Sequence, residues 1–178
     1  MEPVKRLKRE VRAKGTVLTL YKDTVIANGI EAEWDYIHHD GAAAVVAIND
    51  DGKFLMVRQY RNALDRTTLE LPAGKLDAPG EPTLECAKRE LEEETGYYTE
   101  DLTYLMTVNT TVAFCNEKID IYVAKNLKKT QQNLDPDEVV DVEVWDIEDL
   151  KQLIFEGKLT DGKTIAAILA YESKYLKA

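Results

Sequence analysis

Residues Glu70–Tyr97 read ELPAGKLDAPGEPTLECAKRELEEETGY, and the order of polar and apolar residues along them decides the fold. An extended entry ends at Pro72-Ala73-Gly74, and the sequence predicts a helix from about Pro82 to Thr95. Proline suits the first helical position, and Gly96 suits a left-handed stop beyond the last turn. Six acidic residues, Glu81, Glu85, Glu90, Glu92, Glu93 and Glu94, fall between Glu81 and Gly96. At about 100° per residue, Glu90, Glu93 and Glu94 share one sector, and Leu84, Ala87 and Leu91 form the adjoining apolar sector. Like charges at these spacings repel by about a few tenths of a kcal/mol per pair, a cost with no structural return. A hard divalent cation removes the conflict, and magnesium prefers such oxygen ligands together with water and phosphate. Arg89, four residues before Glu93, is spaced to orient that carboxylate by a bidentate pair.

Outward from this segment the pattern is mostly that of strands. Residues 16–34 alternate loosely, with turn signals at Lys22-Asp23 and Asn28-Gly29, and predict two or three short antiparallel strands. GAAAVVAIN at 41–49 is small and β-branched, as a buried strand would be, and DDGK at 50–53 predicts a hairpin into Phe54–Tyr60. Further strands are predicted at 102–109, 119–125 and 139–145, then helices at 147–155 and about 164–176, with Gly157 between them. Strands, helix, strands, helices predict a layered α/β or α+β fold.

At 178 residues the chain is long enough for one domain with a modest appendage. With 23 Lys+Arg against 33 Asp+Glu, its net charge of −10 disfavours nucleic acid and anionic membranes as partners. No apolar run approaches the roughly 18 residues of a membrane span, and MEPVKRLKRE lacks the apolar segment of a signal peptide, so a cytoplasmic protein is expected. Cys86 and Cys115 lack zinc-ligand partners at motif spacing and read as free thiols. His38 and His39 read as turn or strand-end residues.

The segment that opens this section resembles the Nudix box, in which a glycine is followed after five residues by Glu, and after seven more by Arg-Glu-apolar-x-Glu-Glu-x-Gly-apolar. Glu81, Arg89, Glu90, Leu91, Glu93, Glu94, Gly96 and Tyr97 match it. Six residues, KLDAPG, separate Gly74 from Glu81, an insertion at the Ala78-Pro79-Gly80 turn. The resemblance implies an α/β/α sandwich with a mixed sheet, here carrying an N-terminal antiparallel β extension over residues 1–40, with the hydrolase domain at 41–178.

Within that superfamily the chain is similar to the ADP-ribose pyrophosphatase branch. MVRQYRNALDRTTLELPAGKLD (56–77), Phe114 and Glu117, and DPDEVVDVEVW (135–145) carry the likeness. It implies Mg2+, or Mn2+, bound by Glu90, Glu93, Glu94 and the Ala73 carbonyl. It further nominates Arg61, Arg58, Glu70 and Glu117 for substrate, with Arg89 and Glu93 in the catalytic set. In this branch the base tends to come from a later acidic loop, which nominates Glu138, with Asp137 and Asp135 as alternatives and a merely solvated turn as the plain reading. Trp34 is either a stacking platform or a core residue. The branch also implies a homodimer built through the N-terminal strands. These relatives usually carry a Ser-Pro-Gly-type turn where this chain has Thr111-Val112-Ala113, so ADP-ribose, another nucleotide sugar and a dinucleotide all stay open as substrates. A non-catalytic nucleotide sensor is the rival from another class, and the complete Arg89, Glu90, Glu93 and Glu94 set speaks for catalysis.

Overall fold

The computed structural model describes residues 3–78 and 80–177. Pro79, in the turn expected to hold the insertion, lies outside the described residues. The chain forms two compact units, one of residues up to Gly41 together with Asn109–Lys118, the other of Ala42–Val108 and Ile119 onward.

The first unit is a three-stranded antiparallel sheet of β1 (Lys5–Lys14), β2 (Thr19–Ala27) and β3 (Ile30–His38), in that order. The expected turn at Asn28-Gly29 joins β2 to β3, with φ of 52° and 75° at the two residues, the left-handed pair that a two-residue hairpin requires. Two expectations need correction. Lys22-Asp23 is not a turn but the middle of β2, because Asp23 takes a bidentate pair from Arg9 of β1, both bonds 2.6 Å. The strand pattern read from residue 16 also starts too late: β1 precedes it, within the N-terminal antiparallel extension that the resemblance implies and that is present. Register shifts at Arg6/Lys8 and Val11/Ala13 break the alternation of β1, and a strand so exposed has no apolar face to betray it. Residues 109–118 join this unit through Ile37, whose N–H donates to the Phe114 carbonyl at 2.6 Å.

The second unit is a layered α/β/α body. Its strands are β4 (Ala42–Ile48), β5 (Phe54–Arg61), β6 (Arg66–Glu70), β7 (Ala73–Lys75), β8 (Tyr97–Tyr98), β9 (Leu102–Asn109), β10 (Lys118–Ala124), β11 (Lys128–Lys129) and β12 (Val140–Trp145). Its helices are α1 (Thr83–Thr95), α2 (Ile147–Phe155) and α3 (Gly162–Tyr171), and a π-helical turn closes at Glu172–Leu176. The main sheet runs β12-β5-β4-β10-β9, with β6 on β5 and β7 on β4, and β8 pairs separately with β11. β4 pairs parallel with β10 and antiparallel with β5, so the sheet is mixed. Every residue of β4 is buried because both faces are covered: Ala43, Val45 and Ala47 pack with Cys86, Ala87 and Leu91 of α1, while Ala44, Val46 and Ile48 pack with Leu150 of α2 and Ala167 and Ile168 of α3. That double burial is why GAAAVVAIN shows no alternation. Among the described residues no helix is long and apolar enough to cross a membrane.

α1 begins one residue later than expected, with Pro82 as its N-cap, and ends at Gly96 in the left-handed region (φ 67°). A Cβ at Gly96 would also lie 2.8 Å from the Gln132 amide nitrogen. Gly96→Ala therefore combines left-handed strain with a backbone collision and should lower stability by about 2 kcal/mol, a drop of roughly 4–8 °C in Tm by calorimetry. A shift of less than about 1 °C would show that the strain and the collision are both relieved cheaply.

Candidate active site

The acidic cluster is built where α1 crosses β7. β4 presents small side chains to the helix, so α1 lies close to the sheet and its last turns reach the corner at Ala73-Gly74. Glu94, 4% exposed, accepts a 2.8 Å hydrogen bond from the Ala73 N–H on Oε2. Gly74 is glycine for a steric reason: a Cβ there would overlap the Glu90 carboxylate. Glu81 closes the lengthened loop, taking the Asp77 N–H at 2.7 Å on Oε2, so the insertion is absorbed before the helix begins.

Arg89 holds one end of the cluster, although not in the bidentate fashion its spacing suggested. Its Nη1 splits between Glu90 Oε1 (2.6 Å) and Glu93 Oε2 (2.9 Å), and Nη2 donates to the Lys75 carbonyl at 3.1 Å. The guanidinium thus ties two carboxylates to the last residue of β7. Burial pushes the Glu90 carboxyl up to about 7 against the pull of Arg89, and the neighbouring charges of Glu93 and Glu138 add to the rise. Burial likewise raises Glu94 to about 8, opposed by the Ala73 hydrogen bond and increased by Glu90 and Glu138. Hard oxygen donors whose charge is disfavoured by burial, set beside a glycine corner that leaves room for them, are of the donor type that a divalent cation takes.

The charge of Glu138 acts on this cluster from the loop before β12, and backbone bonds hold that loop beside α1. Asn133 N–H donates to the Glu93 carbonyl at 2.9 Å, Thr130 N–H to the Gly96 carbonyl at 2.8 Å, and Gln132 Nε2 bridges the Glu94 and Val140 carbonyls. The acidic turn closes on itself, with Glu138 N–H on the Asp135 carbonyl and Asp135 N–H on Glu138 Oε2.

The two arginines of β5 part company. Arg58 and Arg61 are three residues apart in a regular strand, so they project to opposite faces. Arg61 shares the face of Glu94, whose proton affinity its charge lowers, and pairs bidentately with buried Glu70, both bonds 2.7 Å. Arg58 pairs with Glu143 of β12 on the other face. Burial works against the charge on Glu70, but Arg61, Lys163 and Thr68 outweigh it and hold the carboxyl at about 2. Sequence reasoning missed Lys163, together with Asp161 and Thr164. DGKT at 161–164 signals only a helix start, and α3 does begin there, with Asp161 as a cap accepting the Thr164 N–H.

Trp34 and Glu117 belong to the first unit. Trp34 is 48% exposed, which removes the core reading, and it lines a cleft of about 380 Å³ with Glu33, Asp35, Ala113 and Phe114. Glu117 accepts from the Thr110 hydroxyl at 2.6 Å and lies 3.5 Å from His39 Nε2. His38 ends β3 as expected, and both cysteines are free. Burial pushes the Cys86 thiol up to about 12.

Known proteins agree with this architecture. The family model of the NUDIX domain matches residues 38–168. A methanol dehydrogenase activator of Bacillus methanolicus is 40% identical over 92% of this chain and 90% of its own. An ADP-ribose pyrophosphatase of Bacillus subtilis is 38% identical with the same coverage, and one of Mycobacterium tuberculosis is 32% identical over 88% of this chain and 77% of its own. The crystal structure of an ADP compounds hydrolase, 24% identical, superposes with a TM-score of 0.88 over 99% of this chain and 96% of that one, which shows the shared fold. With its box spread over α1 and the Ala73-Gly74 corner, and with that match spanning most of its length, the chain belongs to the Nudix hydrolase family.

Proposed function

We propose that the protein hydrolyses the pyrophosphate bond of ADP-ribose or a related nucleoside diphosphate sugar, with magnesium or manganese, giving AMP and a sugar phosphate. The observation that carries this reading is the convergence of Glu90 and Glu94 on the Ala73-Gly74 corner, where the Glu138 charge adds to the cost of ionising both. The names of the Bacillus subtilis and Mycobacterium tuberculosis relatives support the substrate class.

Glu90, Glu93, Glu94 and the Ala73 carbonyl would hold the cation, which supplies charge neutralisation at the diphosphate and lowers the pKa of the attacking water. Arg89 fixes Glu90 and Glu93 in place, so the donors need not reorganise during the reaction. Arg61 would take a phosphate oxygen. Arg58, committed to Glu143 on the other face, has a supporting part in the sheet. Glu138, exposed and fastened alongside α1, would take the proton from water, with Asp137 and Asp135 as rivals for that role. In the first unit, Trp34 and Phe114 offer flat surfaces for stacking a base, and Glu117 lies in the same segment as Phe114. A homodimer assembled through residues 1–40, and a cytoplasmic setting, complete the reading.

A second reading, activation of a partner dehydrogenase, rests on the name of the Bacillus methanolicus relative. Incubating the purified protein with a nucleotide-sugar panel and magnesium separates the two. AMP and sugar phosphate formed by this chain alone support hydrolysis of a free nucleotide; no product from any member of the panel would overturn it.

Two predictions follow from the cluster. Glu138→Gln should lower kcat at neutral pH by about tenfold or more while the magnesium dependence stays near wild type, and an undiminished rate would remove Glu138 from the mechanism. The second concerns stability. Glu90 and Glu94 bind protons more tightly when folded, at about 7 and about 8, than at their ordinary value of 4.5. The folded chain therefore holds extra protons across that window. Their stabilising contribution is full below the ordinary value and is lost as pH rises through the two folded values. In chelator, Tm should fall from about pH 5 to about pH 9, less steeply in Glu94→Gln, and magnesium should flatten the slope by favouring the ionised carboxylates. A chelated Tm that rises over this window, or one indifferent to magnesium, contradicts the assignment of these groups.

A further inference from the structure

Glu70 of β6 is a single carboxylate with two cations on it. Arg61 Nε and Nη2 each donate at 2.7 Å, Thr68 Oγ1 donates at 2.6 Å, and Lys163 of α3 donates to the same Oε2 that Arg61 Nη2 uses. The two cations are not equivalent. Side-chain exposure is 4% for Glu70 and 9% for Lys163, but 40% for Arg61. Arg61 therefore opens toward solvent on the face it shares with Glu94, while Lys163 is sealed in. The helix start that carries it is tied down as well. Asp161 Oδ2 accepts from Lys163 Nζ and from the Thr164 N–H, each at 3.0 Å, and the Thr164 hydroxyl takes the N–H of Leu71, next to Glu70, at 2.9 Å.

We propose that Lys163 is a positioning residue, the standing counter-ion of Glu70 that lets Arg61 leave this carboxylate and take an oxygen of the substrate diphosphate. A buried carboxylate stripped of its one partner is strongly unfavourable, and that penalty would come directly out of substrate affinity. With Lys163 in place, Glu70 keeps a partner when Arg61 swings away. Thr68 completes the cradle by holding the other oxygen. Asp161 balances the second positive charge, so the group of four ionised side chains stays neutral before substrate arrives. Lys163, nine-tenths buried, acts through Arg61 and not on the ligand.

This proposal rests on Arg61 being a diphosphate contact, and the experiment separates the two ideas. KM and kcat are measured for ADP-ribose, and the affinity for inorganic pyrophosphate, which carries the phosphate group whatever the attached sugar, is measured by calorimetry. Lys163→Met should raise KM and weaken pyrophosphate binding by about tenfold while kcat stays within about threefold, and Lys163→Arg should restore both. The decisive comparison is made in a Glu70→Gln background, which has no buried charge to neutralise. There Lys163→Met should change neither quantity by more than about twofold. Unchanged pyrophosphate binding in Lys163→Met, or an equal loss with and without the Glu70 charge, overturns the counter-ion role. If Lys163→Met alone does not fold, the Glu70→Gln pair still decides, since a tenfold gap between its members refutes the proposal. Failure of the proposed substrate is read separately, as absence of AMP from the wild-type protein.

Discussion

Glu94 is an ionisable side chain in the last turn of a helix, 4% exposed and hydrogen-bonded to the backbone of the neighbouring strand. A carboxylate there meets an environment that disfavours its charge, and two more carboxylates, Glu90 and Glu138, add to the difficulty. Much of the second unit is shaped around tolerating this arrangement. The small residues Ala43 and Ala47 let α1 approach the sheet, so that Glu94 can reach the Ala73 amide. Gly74 vacates the volume into which the Glu90 carboxylate projects. Arg89 anchors Glu90 and Glu93 from one end, and Arg61 tempers Glu94 from the other.

The same tension explains why the surrounding cations are so fully engaged. An unattached guanidinium beside Glu94 would collapse onto it and neutralise the site. Arg61 instead spends its fork on Glu70, and Arg58, carried to the far face by strand alternation, spends its own on Glu143. Cations committed elsewhere leave surplus negative charge at the Ala73-Gly74 corner, which is the condition a divalent ion requires.

Much of this was legible in the sequence because the physics is local. Five of the six glutamates, their helical spacing and the Gly96 stop are all read within one helix, and the fully apolar run at 42–48 announces a strand covered on both faces. What escaped reading was either exposed or non-local. β1 has no apolar face, and its register shifts erase the two-residue period. Lys22-Asp23 looks like a turn until Arg9 is brought across to it. Lys163 lies 93 residues from Glu70, and DGKT reads the same whether it caps a helix on the surface or braces a buried carboxylate. The direction in which Arg89 divides its bonds also needed coordinates, since i to i+4 spacing suggests a pair with Glu93 and is silent about Glu90 one residue away.

Gly96 shows how closely the two kinds of information are joined. Its left-handed conformation ends α1, a requirement visible in the sequence. Its missing side chain also admits the backbone of Gln131 and Gln132, which the sequence does not show. That close approach brings the loop before β12 alongside the helix end, where the Glu93, Glu94 and Gly96 carbonyls, left without partners inside the helix, accept from Asn133, Gln132 and Thr130. The unsatisfied acceptors of the helix terminus thus become the fastening points of the loop that carries Glu138. The residue that stops the helix and the residues that place the acidic loop are parts of one solution to one problem, the satisfaction of backbone carbonyls at the end of α1. A change that frays this terminus would therefore be expected to loosen Glu138 before it disturbs the Glu90 and Glu94 carboxylates, since those are also held by Arg89 and the Ala73 amide.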